Sequence, residues 1–253
     1  MKALERTRPD IGIVVAMEPE ADPIARGLGL SRRKGDGPNV IYQNPDGSVV
    51  MITPRTDPRF QSLNMGTPIS QLGKVAATLA TSELITFNPK AIINCGTAGG
   101  MDSTTIGDII VGTGVTQHDI AISEFPGYDE WSKRTIPLDA ARIPVVVLKA
   151  PLVTDKIKQG IVSTGESFTL DFAQDARLIE SGALAKDMEA FAVVETAELL
   201  RFAGVVLVIK TITDFVHGGE PEEFNRNFNL AMQSLTTFMQ ILVSNRQEFL
   251  SET

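Results

Sequence analysis

Lys186-Asp187-Met188-Glu189-Ala190 is followed by Val205-Val206-Leu207-Val208-Ile209-Lys210-Thr211-Ile212-Thr213-Asp214. The second run is apolar and β-branched, as in a parallel strand buried on both faces. The spacing predicts a strand over 184–187, a helix over 189–203 and a strand over 205–211. One carboxylate, Glu189, then stands at a helix entrance and another, Asp214, at a strand end, where open α/β sheets keep their ligands. A third, Glu20, lies in Ala16-Met17-Glu18-Pro19-Glu20, just after the first apolar run, Ile11-Gly12-Ile13-Val14-Val15-Ala16. Three acids near strand ends point to acid/base chemistry.

Working outward, residues 18 to about 28 read as a helix, with Pro19 in its first turn and Gly27 or Gly29 at its end. Asn44-Pro45-Asp46-Gly47 has turn composition and predicts a hairpin between 40–43 and 48–53, and 54–68 reads as a loop. From Ile69 to Phe87, Leu72, Val75, Ala76, Leu79 and Ala80 recur at helical spacing, which predicts that their face lies on the sheet. Strands follow over 91–94, closed by Gly96-Thr97-Ala98-Gly99-Gly100, and over 106–111, and then an irregular aromatic segment from about 123 to 137. The alternation continues with a strand over 160–164, a helix over 170–181 and a final helix over 221–246. This order predicts an α/β fold, a three-layer αβα sandwich on a central mixed, mostly parallel sheet. A single domain over 1–253 is expected, with residues 1–9 as a flexible tail.

At 253 residues and 43% hydrophobic content, the chain can bury one full core. A net charge of −8 and a pI near 4.9 argue against a nucleic-acid groove, which needs a basic face. The single cysteine, Cys95, permits no internal disulfide and sits in an apolar run. No stretch approaches the roughly 20 apolar residues that span a bilayer, and the charged N-terminus lacks a signal-peptide core. The expectation is a cytoplasmic protein acting on a small molecule, with neither membrane nor nucleic acid as partner.

Several motifs can be tested. Gly96 to Gly100 lets backbone N–H groups approach a ligand, although a plain strand-to-loop turn would have the same composition. Gly66 to Val75 fails as a phosphate-binding P-loop, because the spacing is wrong and Val75 replaces the needed hydroxyl. No Gly-x-Gly-x-x-Gly follows the first strand. His118 and His217 lie in no metal-ligand spacing and are read as structural or supporting residues, so no metal is expected. Gly165-Glu166-Ser167 lacks the nucleophile elbow. Taken singly, Asp214 reads as a helix cap or loop acid, Glu189 as a helix N-terminal acid favoured by the dipole and Glu20 as a solvated first-turn residue; aligned together, the three acids outweigh those separate readings. An acid at the end of an apolar strand, by contrast, has its pKa raised and can donate a proton near neutrality.

Six ordered stretches then carry a resemblance over nearly the whole chain. They are Ala16 to Glu20, Asn94-Cys95-Gly96-Thr97-Ala98-Gly99-Gly100, Ile106-Gly107-Asp108-Ile109, Ser163-Thr164-Gly165-Glu166-Ser167-Phe168, Asp187-Met188-Glu189-Ala190 and Thr213-Asp214. Together they resemble the nucleoside phosphorylase and hydrolase superfamily, and within it the methylthioadenosine/S-adenosylhomocysteine nucleosidase family. The resemblance implies that Glu20 activates water, Glu189 holds the ribose hydroxyls and Asp214 protonates purine N7. It implies that Phe168 and Met188 pack on base and sugar and that Thr97 and Gly99 line the pocket. Thr169 and Lys210 complete the substrate-binding set. It further implies a purine nucleoside as ligand, release of adenine without a cofactor, and a homodimer whose partner closes the 5′ pocket. For that last role Phe125, Pro126, Tyr128 and Trp131 form a suitable aromatic cluster, equally readable as a loop packed on its own subunit.

The chemistry fits the residues independently. Breaking an N-glycosidic bond leaves positive charge on the ribose and negative charge on the purine, and two carboxylates on opposite sides of the bond can divide those tasks. There are departures from the bacterial pattern: Lys186-Asp187 replaces Val-Glu and Lys210 replaces arginine, both closer to plant-type members. Residues 141–151 are β-branched and proline-flanked where relatives have an amphipathic helix. Met65-Gly66-Thr67-Pro68-Ile69-Ser70 is similar to the phosphate loop of purine nucleoside phosphorylases, which keeps a phosphorylase reading open, with Arg55, Arg59 and Ser70 as anion ligands. A non-catalytic nucleoside-binding or storage relative is the third alternative.

Overall fold

The structure is a computed structural model and describes residues 8–61, 68–122, 124–151, 153–217 and 221–251. In chain order, β1 (Ile11–Val14) leads to α1 (Glu18–Gly27), the short β2 (Ser31–Arg32), β3 (Asn39–Gln43) and β4 (Val49–Pro54). Next come β5 (Thr56–Gln61), β6 (Pro68–Ser70), α2 (Lys74–Ile85), β7 (Ala91–Gly100) and β8 (Ile109–Gln117). After α3 (Tyr128–Ser132), β9 (Ile136–Pro137) and α4 (Val145–Leu148), the chain alternates β10 (Ile157–Thr164), α5 (Phe172–Glu180), β11 (Ala185–Asp187), α6 (Ala190–Leu199) and β12 (Val205–Phe215). It closes with α7 (Pro221–Ser244) and α8 (Arg246–Leu250).

The first apolar run shows why the fold has three layers. Successive strand residues face opposite sides. Ile11, Ile13 and Val15 pack with Ile24 of α1 and Leu235, Phe238 and Leu242 of α7. Val14 packs on the other face with Ala77, Ala80 and Leu84 of α2 and Val193 of α6. An apolar residue at every strand position is what burial on both faces requires.

The central sheet runs β11-β10-β8-β12-β7-β1-β4-β3-β2, with β9 on β8. Its long registers are parallel, β12 with β7 from Val205↔Ala91 to Phe215↔Gly100 and β10 with β8 from Ile157↔Ile109 to Thr164↔Gln117. The β3–β4 hairpin and the short β12–β8 contact are antiparallel. One end of the sheet curls, because β11 also pairs antiparallel with β7 through Ala185↔Gly100 and Lys186↔Gly99. Strands β7, β12, β8, β10 and β11 thereby close into a ring, and Gly99 is flanked by Lys186 on one side and Asp214 on the other.

Four local expectations change. The Gly96–Gly100 run is not a closing loop but the second half of β7, because β12 and β11 supply ladder partners on both sides. The 54–68 stretch is not all loop, since β5 pairs antiparallel with β6. The strand expected over 106–111 begins later and runs longer, as β8, paired along its length with β10. On α2 the buried face is Ala76, Ala77, Ala80, Thr81 and Leu84, whereas Val75 and Leu79, and Leu72 just before the helix, are 74%, 52% and 44% exposed. Small side chains let the helix sit close to β1, where a Cβ on Gly12 would meet Leu84 at 2.8 Å. Volume, not hydrophobicity, chooses that face.

The 141–151 stretch acquires a role in packing. Ile143 and Val147 are buried in the same cluster as α7, while Val145 and Val146 stay exposed. At the other end of the chain, residues 1–7 of the expected tail lie outside the described residues. Arg8 is tied down, its Nε donating to the Asn88 carbonyl at 2.8 Å, and the Pro9 carbonyl accepts from Lys90 N–H at 3.0 Å. Among the described residues, no helix is long and apolar enough to cross a membrane.

Candidate active site

A cavity of about 930 Å3 opens where β7, β11 and β12 end and α1 begins. Glu20, Thr97, Gly99, Phe168, Thr169, Met188, Glu189 and Asp214 all line it. Five separate chain segments thus converge on one space.

Glu20 occupies the first turn of α1, after Pro19, and is buried. Its Oε1 accepts the Thr97 backbone N–H at 2.7 Å and the Thr97 hydroxyl at 2.6 Å. Its Oε2 is buried and has no hydrogen-bond partner among the described residues. Burial pushes the carboxyl above its ordinary range, against the Thr97 bonds and the positive charge of Lys210. Glycine at position 96 leaves the carboxylate its place, since a Cβ there would come to 3.0 Å from Oε2.

Glu189 precedes α6 and is also buried; its Oε1 accepts the Gly73 N–H at 3.1 Å. Burial pushes it up to about 7, with Asp187 and Glu20 reinforcing the shift and Lys210 opposing it. Asp187 is committed to the scaffold. Its Oδ1 accepts the Thr164 hydroxyl at 2.6 Å, and its Oδ2 accepts the Ala190 N–H at 2.8 Å and pairs with Lys210 Nζ at 2.8 Å. Lys210 is fully buried and does not line the cavity; it pairs with Asp187, which does. Burial works against its charge, but Asp187, Glu189 and Glu20 together hold the ammonium above its usual range.

Elsewhere on the wall, Asp214 Oδ1 accepts the Thr213 hydroxyl at 2.7 Å. Burial raises its pKa, with Thr213 and Lys186 opposing and Glu223 adding to the rise. Lys186 Nζ donates to the Phe168 carbonyl oxygen. His217 also lines the cavity and bonds Asp175 through Nε2 at 2.7 Å. His118 stands apart from the wall, packed under Gly165 with Nδ1 3.0 Å from Ser163 Oγ, and burial pushes it down to about 4.

Sequence reasoning missed Met17, Leu72, Phe172, Val216, His217 and Phe224 on this wall. Met17 lay within a motif already singled out, whereas the others lie in or beside expected elements whose periodicity gives no sign that they face a cavity. Of the anion ligands considered, Arg55 is committed elsewhere, donating to the carbonyls of Gly35 and Gly37 at 2.7 and 2.9 Å. The side chains of Arg59 and Ser70, and residues 65–67, lie outside the described ones. Among the described residues, no group of three or more His, Cys, Asp and Glu side chains is arranged to hold a metal ion.

Comparison with known proteins gives the same picture. The family model of the phosphorylase superfamily matches residues 10–245. A 5′-methylthioadenosine/S-adenosylhomocysteine nucleosidase of Shewanella sp. (strain MR-7) is 32% identical over 227 residues, covering 85% of this chain and 88% of that protein. The 5′-methylthioadenosine nucleosidase of Arabidopsis thaliana is 30% identical over 240 residues, 88% of this chain and 81% of the other. A solved apo structure of an Arabidopsis thaliana 5′-methylthioadenosine nucleosidase superposes with a TM-score of 0.79 at 28% identity, covering 94% of this chain and 97% of that one. Sequence, fold and the convergence of three carboxylates agree, and the chain belongs to the phosphorylase superfamily and, within it, to the methylthioadenosine/S-adenosylhomocysteine nucleosidases.

Proposed function

We propose that this protein hydrolyses the N-glycosidic bond of 5′-methylthioadenosine, or a close adenine nucleoside, and releases adenine. The carrying observation is that Glu20, whose buried Oε2 has no hydrogen-bond partner among the described residues, lines the same cavity as Glu189 and Asp214. Water donates a hydrogen bond to that oxygen and loses a proton to it as its own oxygen bonds to C1′. Asp214 gives its proton to N7 as the C1′–N9 bond breaks, so the purine leaves neutral. Glu189 holds the ribose hydroxyls, Met188 packs on the sugar and Phe168 on the base, with Thr97, Gly99 and Thr169 completing the wall. Lys210 acts from behind, as the buried counter-charge of Asp187. Both proton-transfer groups are raised by burial, as acid/base work near neutrality requires.

Water is favoured over phosphate by electrostatics. Among the described residues the wall carries Glu20, Asp171, Asp175, Glu189 and Asp214, with Asp187 balanced by Lys210, against the single lysine Lys186, and a wall of that composition disfavours a phosphate dianion. The test is incubation with methylthioadenosine in phosphate-free buffer. Adenine should appear; turnover that depends strictly on phosphate and yields a ribose-1-phosphate product would instead establish the phosphorylase reading.

We also read the protein as a cytoplasmic homodimer. Support comes from Val75 and Leu79, four residues apart on one face of α2 and both exposed. Phe125, Tyr128 and Trp131 are exposed as well, in edge contact at centroid distances of 6.5 and 6.1 Å. Sedimentation should give twice the chain mass.

A further inference from the structure

Lys186 is the lysine on a wall otherwise rich in carboxylates, and neither composition nor motif gave it a task. Its backbone is fixed twice, by Ser163 of β10 and by Gly99 of β7. Gly99 is also the register partner of Asp214 on β12, and a Cβ there would lie 3.3 Å from Asp214 Oδ2. The neighbouring Asp187 is paired with Lys210, and the Lys186 ammonium turns to the Phe168 segment of the cavity wall. There its Nζ donates to the Phe168 carbonyl oxygen and stands 5.5 Å from the Phe168 ring centroid. Lys186 is 8% exposed and Phe168 44%, so a buried cation anchors an open aromatic wall.

We infer that Lys186 is a positioning residue for the base end of the cavity: it fixes the Phe168 segment against which the purine stacks and serves as counter-cation to Asp214. The inference rests on the nucleosidase reading. When Asp214 passes its proton to the purine, its carboxylate forms in a partly dehydrated site, where a preorganised cation stabilises the new charge. The charged groups facing Asp214 are Lys186 from β11 and Glu223 from α7, with Thr213 as hydroxyl donor; those facing Lys186 are Asp214 and Asp187. His217 and Asp175 share the same wall. A nearby cation favours the ionised form of a carboxylic acid. Removing it therefore keeps Asp214 protonated to higher pH, and the basic limb of the rate profile moves upward.

The experiment measures kcat and KM for adenine release from methylthioadenosine across pH, with the full-length chain, for wild type, Lys186→Met and Lys186→Arg. Lys186→Met should lower kcat/KM roughly tenfold, as expected from losing one charge-assisted hydrogen bond. KM should rise as Phe168 loosens, and the basic limb should move to higher pH. Lys186→Arg, which keeps the charge, should return the limb to its wild-type position. An unmoved limb in Lys186→Met overturns the inference, as does a limb displaced equally in the Arg variant. If thermal melting shows that Lys186→Met is unfolded, Lys186→Gln is read in its place by the same criterion, because it removes the charge and keeps a donor. Wild-type protein that releases no adenine would remove the nucleosidase reading and this inference with it, whereas active wild type with an unmoved variant limb removes only the role of Lys186.

Discussion

Glu20 and Asp214 face one cavity but are held in different ways. Glu20 is enclosed in the interior, fixed by the N–H and hydroxyl of Thr97, with the buried Lys210–Asp187 pair behind it. Asp214 has the hydroxyl of its neighbour Thr213 and, around it, charged side chains and the half-open Phe168. The first end is set by geometry and dehydration, which no single peripheral side chain controls. The second is set by charges, which single substitutions can adjust. In the proposed reaction, which needs one proton removed and another delivered, that asymmetry suits a rigid end for the nucleophile and a tunable end for the leaving group.

The largest effect should separate the two ends directly. Glu20→Gln should lower kcat by about 10²–10⁴, the worth of a positioned base, while circular dichroism and melting show the fold retained. Asp214→Asn should cost about 10², and the loss should shrink for a nucleoside whose base leaves readily without protonation, a rescue denied to Glu20→Gln. Equal rescue of both variants would erase the distinction between the ends.

A smaller effect tests geometry alone. Gly96→Ala brings a methyl within 3.0 Å of Glu20 Oε2 and 3.1 Å of Oε1, so the carboxylate must shift by a few tenths of an ångström. We expect kcat to fall about tenfold with KM nearly constant, because small misplacements of a reacting group are costly. Unchanged kcat would show that the enclosed end is less rigid than its hydrogen bonds imply.

The smallest effect is on stability. Glu189 has an ordinary pKa of 4.5 and is held at about 7 in the folded chain, so the native state retains a proton that the unfolded state has lost. Its contribution is present below about 4.5 and is lost as pH rises through about 7. His118, lowered from 6.5 to about 4, has the opposite sign: its contribution is present above about 6.5 and is lost as pH falls through about 4. Glu189→Gln removes the first and leaves the second, so its urea midpoint should rise relative to wild type as pH increases between about 5 and 7. Parallel midpoint curves for the two proteins would show that the enclosed end does not store the ionisation cost of Glu189.

Legibility in the sequence follows the range of the interactions involved. The apolar runs of β1, β7 and β12 declare double-sided burial through their composition, and Pro19 with Gly27 frames α1. The exposed face of α2 could not be read, because Leu72, Val75 and Leu79 satisfy helical periodicity as well as the alanines that pack on β1. His217 could not be assigned to the cavity, since its place depends on where β12 ends and on Asp175 from α5. The curl that brings β11 to β7 left no local trace either, and without it Lys186 and Asp214 would not share Gly99.

By itself the sequence determined the alternation of strands and helices, the layering of the core and the identity of the three acids, because propensity, periodicity and motif spacing act over a few residues. Only the tertiary structure decided which oxygen of Glu20 lacks a hydrogen-bond partner among the described residues, that Lys210 stands behind the wall and that Lys186 stands on it. Those outcomes depend on contacts between segments far apart in the chain, where burial and charge are properties of the assembled site and of no single stretch.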